Sequence, residues 1–425
     1  MNTYKNLYRA GLLSAAVLMA GNVVAQDIQR DTDLQYFRPN NKDGINMFEA
    51  PKEAKGTFEG VRVRVGGDFA LQFQGLQQSN TMNNLVDMER NLNLPAANLN
   101  LDVQLHHGVR MHLRTYLSSK HHNEAWVKGG HLQIDQLDFI KPGFLENLMQ
   151  YTTITVGLDE FGYGDAVYRR SDNARAIYNP FIGNYIMDAF TTEGFGQVMY
   201  RRSGFIGMAG VTNGKMNQTV IVNENTDNRL SFFGKLGYDD YIMDDLRVRF
   251  TGSIYQNNGT TTGSSLFGGD RAGSRYYAIM RTVEGDGTNF EGRFNPRFTQ
   301  MTAVQFNPFV KYKGLEFFGI YEMVNNSSEQ GNGNFNQIAG ELLYRFGNTE
   351  QFYIGGRYNE VQGKMNENAG ELKLTRLNLG GGWFMTKNIL TKLEYVDQRY
   401  EGFAATSKYN GARFHGVNIE AAISF

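Results

Sequence analysis

The sequence predicts an all-β protein, a transmembrane antiparallel β-barrel of about 16 strands with long loops at one end and short turns at the other. Four observations predict it. Apolar and polar residues alternate in run after run, as in the last strand, where His415, Val417, Ile419, Ala421, Ile423 and Phe425 share one face and Phe414, Gly416, Asn418, Glu420, Ala422 and Ser424 the other. After the first 25 residues no apolar stretch reaches the ~18 residues that argue for a spanning helix. The mean hydropathy of -0.44 suits a barrel, in which only alternate residues face lipid. Finally, 49 Gly, 30 Phe and 23 Tyr against 7 Pro and 2 Trp favour aromatic strands joined by tight turns.

At the start of the chain, Lys5 and Arg9 precede the apolar run Ala10 to Ala20, and Val23-Val24-Ala25 before Gln26 is a small-residue pattern that a signal peptidase accepts. Residues 1–25 therefore read as a signal peptide for export and are left out of the fold. Residues 26–59, with Pro39, Asn40, Asn41, Lys42 and Pro51, read as a periplasmic N-terminal segment. Few apolar residues are available to order it, so a flexible leader is expected rather than a segment tucked into the barrel mouth. Residues 60–425 form the barrel.

Its first strand places Val61, Val63, Val65, Phe69, Leu71 and Phe73 on one side and Arg62, Arg64, Asp68, Gln72 and Gln74 on the other. A hairpin follows: Leu99, Leu101, Val103 and Leu105 run to the turn His106-His107-Gly108, and Val109, Met111, Leu113 and Leu117 return opposite Arg110, His112, Arg114 and Tyr116. Further alternating runs lie near 126–139, 150–158, 194–203, 204–214, 228–238, 246–257, 300–313, 314–325, 335–346, 351–361, 370–385, 389–400 and 412–425. Closure of such a sheet satisfies every backbone donor and acceptor in lipid, which an open sheet cannot do. Two long connections stand out, Asp159 to Glu193 after the fifth strand and Asn258 to Arg297 after the ninth. Loops of that length are usually functional.

Several chemistries are excluded or disfavoured. The absence of Cys removes disulfides, thiolate metal sites and thiol nucleophiles. The formal charge of -1 offers no basic footprint for nucleic acid. His106-His107 and His121-His122, with His112 and His131, are poor chelates, because adjacent residues of a strand point to opposite faces, so no metal is assigned. No Gly-x-Ser-x-Gly elbow is present, and Gly268-Gly269-Asp270 and Gly380-Gly381-Gly382 lack the Lys-Ser/Thr of a phosphate loop. No enzyme activity and no cofactor are expected. Tyr238, Tyr312, Tyr344, Phe346 and Tyr400, near strand ends, fit interfacial aromatic girdles.

A half-apolar strand ending in Phe425 resembles the closing strand of bacterial outer-membrane barrels. Thr155-Val156-Gly157-Leu158-Asp159-Glu160-Phe161-Gly162, Arg170-Ser171-Asp172-Asn173, Asn179-Pro180-Phe181, Gly194-Phe195-Gly196 and Ala209-Gly210-Val211-Thr212-Asn213-Gly214 resemble the matching region of porins of the phosphate-selective O and P kind. The resemblance implies a 16-strand barrel in the outer membrane of a Gram-negative bacterium, a homotrimer, and passage of small hydrophilic or anionic solutes. In general porins the third outer loop folds into the lumen as a constriction, and Asp159 to Glu193 falls at that position.

Substrate preference does not carry over, because the inward Arg62, Arg64, Arg110, Arg114, Arg247, Arg249 and Arg376 are balanced by Asp68, Asp102, Glu316, Glu322, Glu341, Glu394 and Glu420. The expected constriction is Arg169, Arg170, Asp172 and Arg175 on the infolded loop, facing Arg62, Arg64, Arg110 and Arg114, with Arg247 and Arg249 also lining the pore. Like charges across a narrow gap favour anions. Against this, Asp159, Glu160, Asp165 and Asp172 are placed to neutralise the loop. The reading is a passive diffusion channel with mild anion preference. The alternatives are a non-conducting barrel acting as adhesin, receptor or structural protein through residues 258–297, a barrel enzyme, and a soluble periplasmic β-protein.

Overall fold

The computed structural model describes residues 34–53, 56–117, 125–171, 175–214, 229–259, 266–268, 276–285, 290–298, 300–326 and 331–425. The expected signal peptide and His121-His122 lie outside them. The strands are β1 Arg62–Ser79, β2 Asn91–His106, β3 Val109–Tyr116, β4 Trp126–Ile134, β5 Thr152–Asp159, β6 Glu193–Arg202, β7 Phe205–Thr212, β8 Ser231–Met243 and β9 Leu246–Asn257. After the two-residue strands β10 Tyr276–Tyr277 and β11 Phe290–Glu291 come β12 Met301–Tyr312, β13 Leu315–Asn326, β14 Asn334–Phe346, β15 Phe352–Lys364, β16 Leu372–Thr386, β17 Ile389–Glu401 and β18 Arg413–Ser424.

Sixteen of these close into one antiparallel ring, each paired with its sequence neighbour, β9 with β12 across the β10–β11 pair, and β1 with β18. The hairpin at residues 106–108 has the expected register, Leu101 opposite Leu113 and Asp102 opposite His112. At the seam Phe69 faces Ile423, and the backbones of Gly67 and Phe425 exchange hydrogen bonds of 3.1 and 3.0 Å. A Cβ on Gly67 would lie 2.6 Å from the Phe425 ring, so only glycine allows that ring to seat there.

The alternation sorts as a lipid-facing barrel requires. Leu236, Ile338, Leu342 and Ile354 are exposed outside, whereas Asp68, Asp102, Glu316, Glu322, Glu341, Glu394 and Glu420 are buried inside. Near the short-turn end an aromatic ladder runs around the exterior: Tyr344–Phe346, Phe346–Phe352 and Phe352–Trp383, with ring centroids 5.6 to 6.1 Å apart. Tyr312, Tyr344 and Phe346 are exposed there as expected of a girdle. Tyr400 is not. It shares the even parity of Lys392, Glu394 and Gln398 on β17, points inward and is only 3% exposed.

Residues 34–53 also depart from expectation. Instead of a flexible leader they form a strap across the inside of the short-turn end. The Gln35 amide donates to Gln104 Oε1 (3.0 Å), Asn40 to Asp68 (2.7 Å), the Lys42 amide to the Lys387 carbonyl (2.8 Å) and Asn46 to Glu316 (2.7 Å). Glu49 pairs with Arg249 at 2.6 Å and Lys52 with Asp135 at 2.8 Å. Polar side chains of the wall order a segment whose own apolar content could not.

Candidate functional site

The third long connection, residues 160–192, leaves the wall after β5 and crosses the lumen. Its first half is pinned by charge. Arg169 donates to Glu316 of β13 at 2.7 Å and to Glu341 of β14 at 2.6 Å, and also to Asn46 of the strap. Arg345 and Arg357 complete the two carboxylates, Arg345 on Glu316 at 2.8 Å and Arg357 on Glu341 at 2.7 Å. Asp165 accepts from Lys235, Arg249 and Thr251, each at 2.8 Å. Burial alone would raise the Asp165 pKa, but Arg249 and Lys235 overcome it and hold the carboxyl below its usual range. Burial would likewise lower the pKa of Arg169, and Glu316 and Glu341 reverse the sign.

The second half is held through its backbone. The Ile182 amide donates to Glu394 (2.8 Å), Ile186 to Asn359 (2.6 Å) and Met187 to Gln337 (3.0 Å), and Lys392 donates to the Ala176 carbonyl (2.8 Å). A loop in mid-lumen has no sheet partner, so wall side chains satisfy its polar backbone. Toward the long-loop end the inner face turns apolar: Val324, Phe335, Val361, Leu374, Val396 and Phe414 are buried against Ile186 and Met187 of this loop and against Tyr276, Ile279 and Met280 of the 258–300 connection. Tyr276 donates to Glu394 at 2.7 Å. Thus a second long loop also enters the barrel.

All but one of the predicted residues can now be placed. Arg169 lies against β13 and β14, on the far side of the ring from the strands carrying Arg62, Arg64, Arg110 and Arg114. Arg170 meets Asp188 at 3.3 Å and the Ala189 carbonyl at 2.9 Å. Asp172 lies outside the described residues. Arg175 faces Glu160 at 3.8 Å. Arg62 sits at the rim beside Glu59, 3.4 Å away.

Arg64 and Arg110 share Asp102 at 3.5 and 3.1 Å and lie under the Phe37 ring of the strap. Arg114 pairs with Asp159 at 3.1 Å and Arg247 with Asp239 at 2.7 Å. Of the carboxylates expected to neutralise the loop's arginines, Glu160 meets Arg175, while Asp159 serves Arg114 and His131, Asp165 serves Lys235 and Arg249, and Arg169 is matched by Glu316 and Glu341 of the wall.

A cavity of about 150 Å³ remains between the loop and the wall of β4 to β6, lined by Glu160, Arg175, His131, Gln133, Thr155 and Arg201 among others. Phe161, Phe195 and Met199 give it one apolar side. Here the loop makes few bonds to the wall, one being the Gly162 amide to Gln197 at 3.2 Å. The rings of His112 and His131 lie 5.2 Å apart, each bonded to a carboxylate: His112 to Asp102 and His131 to Asp159. Among the described residues no three His, Asp or Glu side chains gather to hold a metal ion.

The strap and the inner apolar ring are what sequence reasoning missed. The signal for the ring was present, since Val396, Leu374 and Phe414 break the polar parity of their strands.

No protein-family model matches the chain, and no curated protein matches it in sequence. Solved structures do. The chain is similar to a loop-deletion mutant of OmpT, an outer membrane protein of Vibrio cholerae (TM-score 0.52, 12% identity, 86% of this chain and 100% of that one). The trimer form of OmpT gives 0.51 at 12% identity over the same shares. An anion-selective porin from Comamonas acidovorans gives 0.52 at 11% identity, covering 86% of this chain and 100% of that one. At these identities the likeness is one of fold.

Proposed function

We propose that this protein is an outer-membrane porin, a passive diffusion channel for small hydrophilic solutes. One observation carries the reading: a closed ring with an apolar exterior encloses a charged interior narrowed by its third long loop. Apolar outward residues suit hydrocarbon, and charged inward residues suit only water or one another. The path runs through the β4–β6 cavity, past Arg175 and Arg201. Arg169, Arg170, Arg247 and Arg249 are each matched by a carboxylate, and Arg175 and Arg201 line the path together with Glu160, so the channel is only mildly anion-preferring. A homotrimer, as in the OmpT trimer form, fits the same reading.

The test is reconstitution in a planar bilayer. Discrete conductance steps with a reversal potential on the anion side are expected in a salt gradient, and a consistently silent protein would end the proposal. Placing a charge on the lipid face, Leu236→Arg, should cost about 2–4 kcal/mol of refolding stability in vesicles. A soluble protein would tolerate it.

The second reading, a non-conducting barrel, is favoured by the strap and two infolded loops sharing one lumen. Silence in the bilayer together with stable vesicle insertion would select it.

A further inference from the structure

A second cavity, of about 580 Å³, opens among the long loops, away from the narrow path. It falls within the usual volume of small-molecule sites, ~300–1,000 Å³. Its floor is aromatic. Tyr400 and Tyr409 stack at 5.2 Å with 24° between planes, Phe403 lies 5.3 Å from Tyr409, and all three rest on the buried apolar ring of the inner wall. Arg293, Asn295 and Arg297 also line it, from the 258–300 connection. Arg293 is oriented by donating to the Phe267 carbonyl, and Arg297 is exposed. Among the described residues no carboxylate lines this cavity.

Flat rings beside guanidinium groups recognise one chemical class. An aromatic face takes up a flat apolar surface, and a guanidinium binds a carboxylate or phosphate through charge-assisted, often bidentate hydrogen bonds. We infer that this vestibule is a capture site for ring-bearing organic anions. The inference deepens the proposed channel by naming what it collects at its outer mouth, and it rests on that reading for its role but not for its existence.

Binding is measured by isothermal titration on the full-length folded protein in detergent, with benzoate, glucuronate, acetate and benzyl alcohol as probes. At least one of the two ring anions is expected to bind tenfold or more tighter than acetate and than neutral benzyl alcohol. Whether benzoate or glucuronate leads tells an aromatic acid from an acidic sugar. The Phe403→Ala/Tyr409→Ala double variant should lose the advantage over acetate. Arg297→Glu, on an exposed side chain that folding does not need, should weaken every anion several-fold and leave benzyl alcohol unchanged.

Equal binding of acetate and both ring anions, or wild-type binding in both variants, would overturn the site. A protein that binds ring anions but carries no current would refute the channel and leave the site standing. One that conducts without binding would do the reverse.

Discussion

The two walls of the lumen treat the same infolded loop differently. Along β13 to β17 the loop is tied by Arg169 to Glu316 and Glu341, and by Glu394, Asn359, Gln337 and Lys392 to its backbone. Along β4 to β6 it leaves a cavity, with the Gly162 amide's bond to Gln197 among the few ties to the wall there. The first wall commits its charges to the loop; at the second, Arg175 of the loop, beside Glu160, and Arg201 of β6 line the cavity. A cavity remains where the wall does not supply the loop's missing partners, so the position of the carboxylates, more than loop length, decides where the loop stands off the wall.

Untying the closed wall should have the largest effect. Arg169→Ala leaves Glu316 to Arg345 and Glu341 to Arg357 but removes the charged hydrogen bonds that hold the loop, at about 1.5–3 kcal/mol each, and single-channel conductance should rise several-fold as the loop leaves β13 and β14. Unchanged conductance would mean that this wall does not set the bore.

Glu49→Gln removes one tie of the strap to Arg249 and should give a smaller gain, near twofold, with noisier open states in the same recording. Acid should act through Asp165. Its carboxyl is held below the ordinary aspartate range, so its stabilising contribution is complete above that range and is lost as pH falls through the depressed value. Conductance should therefore stay level from neutrality to about pH 4 and change only below it; Asp165→Asn should show the low-pH behaviour at neutral pH.

The smallest effect belongs to the open wall. Arg175→Glu should move the reversal potential toward cations with little change in conductance, because charge at a narrow point steers ions without altering the bore. A large drop in conductance instead would place Arg175 in the loop's support.

Strand positions were legible because a barrel writes its fold in period two: β9 runs over Leu246–Asn257, the residues read from alternation, and the third and fifth long connections fall after the predicted strands. Site geometry was legible only as far as parity reaches. Parity tells that Arg249 and Glu316 point inward, but not that Glu49 or Arg169, from segments without regular structure, meets them there. Such pairings depend on where a loop crosses the lumen, and that crossing is fixed by many scattered hydrogen bonds. Tyr400 shows the converse: its parity assigned it inward, while its aromatic character suggested a girdle.

The strap bears on how the molecule is put together. Its partners include Gln104 of β2 and Asp135 just after β4, and Glu316 of β13 and Lys387 in the β16–β17 turn. A segment bound on both sides cannot settle until the last of those strands is in place. This early stretch of the chain is thus among the latest to find its position, and the ring must either close around it or admit it afterwards through the short-turn mouth. Long-range contacts of this kind slow folding, so the strap marks completion of the barrel and does not seed it.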